Sequence, residues 1–287
     1  MNLDIILNSD CVELLRSMPD NCIDLVVTSP PYAEQRSGTY GGIKSELYPD
    51  WISNICKEIY RVLKPTGSFV LNIKEHVSGG ARDTYVLKSL LQLSEIFIWN
   101  DTFIWNKLNP YPTGNKKRLK DGFEYCYLFT KSQDYKFYPD NVLVRSDSVW
   151  LDSEKQRKNK GAHFVSNKSG MNMSSRFFSD LVRPSNVISL PVDSSNHEHP
   201  ATFPIGLPAF FIKLLTDESD VVFDPFCGSG TTCVAAKISK RHYVGCDVMS
   251  EYVKLSMDRI ERTAISFDGK IIVKRDSDFK PKALFDM

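Results

Sequence analysis

Short apolar runs alternate with stretches of helical period along the first third of the chain. Leu3 to Leu7 reads as a strand, and Asp10 stands where it would cap a short helix over Val12 to Met18. Ile23 to Val27 is largely apolar, as suits a strand of a parallel sheet covered on both faces. Pro49 fits the first turn of a helix, along which Ile52, Ile55, Ile59 and Leu63 recur at helical spacing. Lys64-Pro65-Thr66-Gly67 is expected to end it and Ser68 to Ile73 to form the next strand. A helix near Asp83 to Ser94 and a strand near Ile96 to Trp105 follow. From Lys107 to Lys168 the rhythm fades, apart from one strand at Phe123 to Thr130. It then returns: a helix at Leu207 to Leu215, a strand at Val221 to Phe223 and a helix at Thr231 to Ile238. A strand at Tyr243 to Cys246 and a helix at Ser250 to Glu261 precede a strand-like run and polar tail over Asp268 to Met287. This alternation predicts an α/β protein with a doubly wound, mainly parallel sheet.

The 287 residues are 42% hydrophobic and 25% charged, a globular composition with ample length for a core. A net charge of +1 excludes a strongly basic coat. The charge is uneven, however: residues 107–168 hold 13 basic and 7 acidic side chains. Two basic clusters, Lys116-Lys117-Arg118-Leu119-Lys120 and Lys155 to Lys160, lie among aromatics such as Tyr111, Tyr135, Phe137, Tyr138 and Trp150. The segment is either a solvated insertion or a phosphate-contacting surface. The seven cysteines include no C-x-x-C pair and read as reduced, mostly buried thiols of a cytoplasmic protein. The N-terminal residues do not read as a signal peptide, and no apolar run approaches the roughly 20 residues that span a bilayer.

Three segments carry candidate chemistry. In Val221 to Thr232 (VVFDPFCGSGTT) a buried strand ends at Asp224 and enters a glycine-containing turn before a helix. Gly228 and Gly230 tolerate close backbone approach and positive φ, and open α/β sheets bind ligands at such strand ends. The segment lacks the Gly-Lys-Ser/Thr of a Walker loop, and Cys233 stands where a dinucleotide fingerprint has its third glycine. Asp247 ends the next strand, 17 residues after Gly230, where a carboxylate can accept both hydroxyls of a ribose; its plainer role is a helix cap. Thr28 to Tyr32 (TSPPY) follows the strand at Val27. Its prolines fix the backbone and leave carbonyl acceptors, Ser29 adds a hydroxyl, and Tyr32 offers a stacking face. Acceptors and a flat surface without a general base suit an exocyclic amino group on a heterocycle. Cys227 reads as packing, and no metal-ligand set is evident around His197 and His199.

TSPPY and DPFCGSGTT together resemble motifs IV and I of the DNA amino-methyltransferases, in the order of the beta group, whose motifs are circularly permuted. Asn8-Ser9-Asp10, Arg61 to Ile73 (RVLKPTGSFVLNI) and His199 to Pro204 (HPATFP) resemble further family segments. The likeness covers roughly residues 3–130 and 197–262. It implies a Rossmann-like, circularly permuted methyltransferase fold using S-adenosyl-L-methionine, acting on double-stranded DNA in the cytoplasm of a prokaryote or from a phage. A cognate restriction endonuclease acting on the same site is a possible companion.

By the same resemblance, Ser29, Pro30, Pro31 and Tyr32 are the catalytic turn. Asp10, Phe203, Asp224, Phe226, Gly228, Ser229, Gly230, Thr231 and Asp247 are cofactor-binding. Arg36, Lys116, Lys117, Arg118 and Lys120 are DNA-binding. The expected organisation is a catalytic domain over 1–106 and 197–265, a target-recognition region over 107–196 whose start at 107–130 could belong to the catalytic sheet, and a tail at 266–287. Within the family SPPY usually accompanies cytosine-N4 methylation, and Ala33 to Gly42 resembles the loop that follows it there, although some SPPY enzymes methylate adenine at N6. Rival readings are an RNA or protein N-methyltransferase, whose family favours Asn before Pro-Pro-Tyr, and a non-enzymatic nucleic-acid-binding module.

Overall fold

The computed structural model describes residues 1–34, 42–78, 80–112, 117–145, 181–192, 203–265 and 271–273. Eight strands form its central sheet: β1 (Ile5–Asn8), β2 (Ile23–Thr28), β3 (Leu63–Ile73), β4 (Ile98–Lys107), β5 (Phe123–Thr130), β6 (Val187–Leu190), β7 (Val221–Asp224) and β8 (His242–Asp247). Their spatial order is β1-β8-β7-β2-β3-β5-β4-β6. Only β5 runs antiparallel to its neighbours, so the sheet is mainly parallel, as expected.

Helices α1 (Cys11–Ser17), α2 (Tyr48–Val62) and α3 (Tyr85–Ser94) cover one face, where Leu15, Ile52, Ile59 and Leu90 pack with Val26, Phe69 and Phe223 of the sheet. Helices α4 (Gly206–Leu215), α5 (Thr231–Ile238) and α6 (Ser250–Arg262) cover the other, where Phe211, Leu214, Val234 and Ile260 meet Leu25, Val27 and Val70. Alternate residues of β2 thus feed opposite cores, as the period of a strand requires. Among the described residues no helix is long and apolar enough to cross a membrane.

Several boundaries differ from expectation for identifiable reasons. The first strand begins at Ile5 because Asp4 is left-handed (φ 59°), its carboxylate accepting from Tyr243 N at 3.2 Å. Lys64-Pro65-Thr66-Gly67 does not separate helix from strand. β3 begins at Leu63, which pairs with Ile23, and the four residues then bow out before Ser68 meets Leu25. Asp24, facing the bow, is 2% exposed and holds Lys64 Nζ at 2.8 Å and Val221 N at 3.0 Å. A Cβ on Gly67 would lie 3.0 Å from the Lys64 carbonyl oxygen, so this bow needs glycine. β4 runs from Ile98 to Lys107, two residues later than expected at each end.

The middle third contributes two strands to the central sheet, the first within the 107–130 stretch for which the sequence allows that. β5 belongs to the main sheet, and so does β6, which pairs in parallel with β4. The tail's strand-like run is present as Ile271–Val273, paired with Thr263–Ile265; the remainder of 266–287 lies outside the described residues.

Candidate functional site

The strand directions bring most of the chemically interesting segments to one end of the sheet. Asn8 pairs with Asp247, Thr28 with Leu71, Ile73 with Tyr125, Trp105 with Glu124, and Leu190 with Lys107. The carboxyl ends of seven strands and the start of antiparallel β5 therefore share one rim.

Asp247 is 4% exposed at the end of β8. Its Oδ2 accepts from Gly228 N at 3.0 Å and its Oδ1 from Met249 N at 2.9 Å. The carboxylate thus locks the glycine turn and the approach to α6. Gly228 and Gly230 are both left-handed (φ 48° and 78°). A Cβ on Gly230 would stand 2.7 Å from Ser256 Cβ, so tight packing of α5 against α6 requires this glycine. Ser229 and Thr231 turn their hydroxyls to Arg259 of α6, whose Nη1 donates to Ser229 O and Oγ at 3.2 Å and to Thr231 Oγ1 at 2.9 Å. That geometry occupies the Ser229 carbonyl and both hydroxyls, and leaves the two residues their backbone N–H groups to offer a ligand. Arg259 itself carries no motif and was not expected.

Asp10 is the side-chain cap of α1: its Oδ1 accepts from Val12 N at 2.8 Å and Glu13 N at 3.2 Å. Oδ2 lies outside that cap, on an exposed residue beside Asp247's strand. Phe226 is half-buried, 5.8 Å from the ring of Trp51. Phe203 is also half-buried, but it packs in the core on the opposite face of the sheet from Phe226.

Asp224 has a different setting. It is 2% exposed, and its Oδ1 accepts from Thr28 Oγ1 at 2.6 Å and Phe226 N at 3.1 Å. Burial pushes its carboxyl up to about 6, against the opposing effect of the Thr28 and Thr232 hydroxyls. Asp224 is thus a buried tie between the end of β2 and the glycine turn, and sequence spacing gave no sign of its partner Thr28.

The turn after β2 is held from three sides. Pro30 is buried, and the Pro31 carbonyl accepts from Tyr48 Oη at 3.0 Å. Tyr48 is itself buried, its ring 4.6 Å from that of Tyr85. The Tyr32 phenol donates to Glu124 Oε2 at 3.2 Å. Burial and then the Glu124 carboxylate push that phenol well above its ordinary range, while the neighbouring Ser29 hydroxyl pulls the other way. Cys227 is buried beside Cys233 and Gly245, and burial pushes its thiol up, which suits packing and not attack.

Of the basic run, Lys117 and Lys120 are exposed. Arg118 is half-buried, and its Nη2 bonds Asp121 at 3.1 Å. Asp121 also holds Lys74 at 2.8 Å and Arg82 at 3.1 Å. Burial raises its carboxyl, yet the three cations together keep it below the usual carboxylate range. Arg118 therefore takes part in an ion-pair network with Asp121, Lys74 and Arg82. Arg36, Lys116, Lys155 to Lys160, Trp150, His197 and His199 lie outside the described residues.

The donor set fits a nucleoside-bearing sulfonium ligand. The carboxylates of Asp10 and Asp247, a glycine turn opening a helix and the half-buried ring of Phe226 follow three neighbouring strands, with Trp51 of α2 against Phe226.

Comparison with known proteins identifies the family. A family model described as DNA methylase, for N6 and N4 methyltransferases, matches residues 23–258. The Type II methyltransferase M.PvuII of Proteus hauseri is 32% identical over 90% of this chain and 83% of its own length. A solved PvuII DNA methyltransferase, described as cytosine-N4-specific, superposes with a TM-score of 0.67 at 28% identity, covering 88% of this chain and 84% of that one. The DNA adenine methyltransferase YhdJ of Escherichia coli (strain K12) is 26% identical over 89% of this chain and 82% of its own. A DNA modification methylase of Thermus thermophilus, solved with S-adenosyl-L-methionine, shares the fold at 22% identity, with a TM-score of 0.59 over 90% of this chain and 93% of its own.

Proposed function

Because the chain belongs to the N6/N4 DNA methylase family, we propose that it methylates the exocyclic N4 amino group of cytosine in duplex DNA, at the Thr28–Tyr32 turn. The observation that carries this reading is an acceptor-rich turn without a general base, tied by Thr28 and Asp224 to the glycine turn of the neighbouring strand. S-adenosyl-L-methionine supplies the electrophilic methyl group.

The amino nitrogen is a weak nucleophile because its lone pair is conjugated with the ring. Ser29 and the Pro30 carbonyl accept its two N–H bonds, which favours a pyramidal nitrogen and stabilises the positive charge that grows during attack. The Pro31 carbonyl is held by Tyr48, which fixes the turn so that catalysis comes chiefly from positioning. Tyr32 stacks on a base turned out of the duplex, recovering part of the few kcal/mol that unstacking costs. Asp247 holds the donor's ribose, Asp10 its adenine amino group, and Phe226 its adenine face, while Phe203, Gly228, Gly230 and the backbone of Ser229 and Thr231 complete the pocket.

The region 107–196, apart from what it contributes to β4, β5 and β6, carries target recognition, with Lys117 and Lys120 on the phosphates. A companion endonuclease is consistent with the Type II relatives. Adenine-N6 transfer is the second reading, favoured by the likeness to YhdJ. Digestion of methylated DNA to nucleosides, weighed by mass spectrometry, decides between them. N4-methylcytosine is expected, N6-methyladenine would overturn the base assignment, and 5-methylcytosine would overturn the mechanism.

A further inference from the structure

Glu124 and Lys107 take no part in the mechanism above, yet they stand directly behind its aromatic platform. Glu124, the second residue of β5, stands opposite Trp105 and is 8% exposed. Its Oε1 accepts from Lys107 Nζ at 2.6 Å, and its Oε2 accepts the phenol of Tyr32 at 3.2 Å. Lys107 lies 4.8 Å over the Trp105 ring. The phenol is thus held by a nearly buried ion pair whose carboxylate is fixed in place on the main sheet.

We infer that Glu124, backed by Lys107, is the positioning residue of the target-base site: it holds the Tyr32 phenol and thereby sets the tilt of the ring that stacks on the base. The inference rests on the proposed role of the Thr28–Tyr32 turn. The Tyr32 ring is half-buried against the core, and its overlap with a stacked base depends on both of its torsions. A hydrogen bond to a charged, lysine-bound acceptor removes that freedom at the far end of the ring, where a small displacement changes the tilt most. It also sets proton direction. With the phenol proton committed to Glu124, the phenol oxygen offers lone pairs to the adjacent Ser29 hydroxyl, and Ser29 keeps its own lone pairs for an incoming amino group.

The test uses the full chain, plasmid DNA lacking the modification, and labelled S-adenosyl-L-methionine. In Glu124→Gln the Lys107 charge retains the amide oxygen and turns the NH2 group to the phenol oxygen, which then accepts in place of donating and turns its proton to the Ser29 hydroxyl, taking the lone pair meant for the amino group. Both Glu124→Gln and Tyr32→Phe are expected to lower kcat about tenfold, the scale of one lost hydrogen bond, with KM for the methyl donor unchanged. The double variant is expected to lose about tenfold and not a hundredfold, since both changes remove one interaction. Lys107→Met added to Glu124→Gln frees the amide oxygen for the phenol and should restore kcat, a recovery that a purely structural role would not give. Multiplicative losses, an unaffected Tyr32→Phe, a rise confined to the KM of the methyl donor, or no recovery with Lys107→Met would each overturn the inference. Tyr32→Phe removes one hydroxyl at the rim, so the outcome does not depend on a variant that fails to fold. A wild-type product of N6-methyladenine would overturn the base assignment while leaving this inference intact; no methylated nucleoside at all would overturn the proposed function itself.

Discussion

Replacing Asp247 by asparagine separates two roles that one carboxylate combines. Its oxygens accept from two backbone amides, Gly228 N at 3.0 Å and Met249 N at 2.9 Å, on a side chain only 4% exposed. An amide has one oxygen to give. Whichever way it turns, its NH2 group faces an N–H, so one hydrogen bond to a charged acceptor is lost. That loss is worth about 1.5–3 kcal/mol, and it falls on the fold with no ligand bound. Gly228 N is the more deeply buried donor, so the oxygen should stay with it and the loss should fall at the approach to α6. The ribose contacts lose the same charge, and a further drop of about 100-fold in affinity for S-adenosyl-L-methionine corresponds to about 2.7 kcal/mol. Urea denaturation without cofactor reads the first quantity and titration calorimetry the second. Unchanged cofactor affinity would refute the ribose assignment, and unchanged stability would refute the locking of the turn. From spacing alone Asp247 looks like a ligand contact whose loss spares the fold; its two backbone bonds predict otherwise.

Three further outcomes are expected. Asp224 has its carboxyl raised to about 6, so protonation is favoured in the folded state. Its contribution to stability is complete below about pH 4 and is lost as pH rises through about 6; Asp224→Asn should remove that pH dependence, measured as the wild-type minus variant difference in urea denaturation. Arg259→Met breaks three hydrogen bonds to Ser229 and Thr231. It should weaken cofactor binding about tenfold in calorimetry, one charged hydrogen bond's worth, and unchanged affinity would leave Arg259 a surface latch only. Removing the charges of Lys117 and Lys120 should flatten the salt dependence of DNA binding by up to about 2 units, roughly 0.9 for each phosphate contact, whereas Arg118→Ala should act mainly on stability because it is paired to Asp121.

Local pattern carried much of the fold. Phe123–Thr130 and Thr231–Ile238 have the bounds that their apolar runs and flanking glycines suggest, and Asp10 caps α1 as its position before an apolar run implies. What escaped the sequence depends on partners far along the chain. Lys64-Pro65-Thr66-Gly67 has the composition of a helix stop, yet it bows out of a strand because Leu63 already pairs with Ile23 and Asp24 holds Lys64. Val187–Leu190 is too short to announce itself, and its partner segment begins at Ile104. At the site, glycines, prolines and strand-end acids stand out by residue type. Thr28, Glu124, Lys107 and Arg259 do not, because each matters through one cross-sheet or cross-helix contact.

The strand order also sets a timetable for synthesis. Among the described residues β1 pairs only with β8, and the bond from Tyr243 N to Asp4 spans 239 residues. At translation rates of about 5–20 residues per second, β1 waits on the order of 10–50 s for its neighbour. β2 can meet β3 soon after both emerge, but its other edge stays open until β7 arrives. Half of the sheet is therefore assembled long before the edge that carries Asp10, Gly228 and Asp247 can close. Such distant pairings slow the search for the native state. A nascent chain halted before residue 221 would carry the Thr28–Tyr32 turn but none of the strand that supplies Asp224, leaving the buried hydroxyl of Thr28 without its acceptor. Chains stalled there are expected to be the ones that chaperones and proteases must handle.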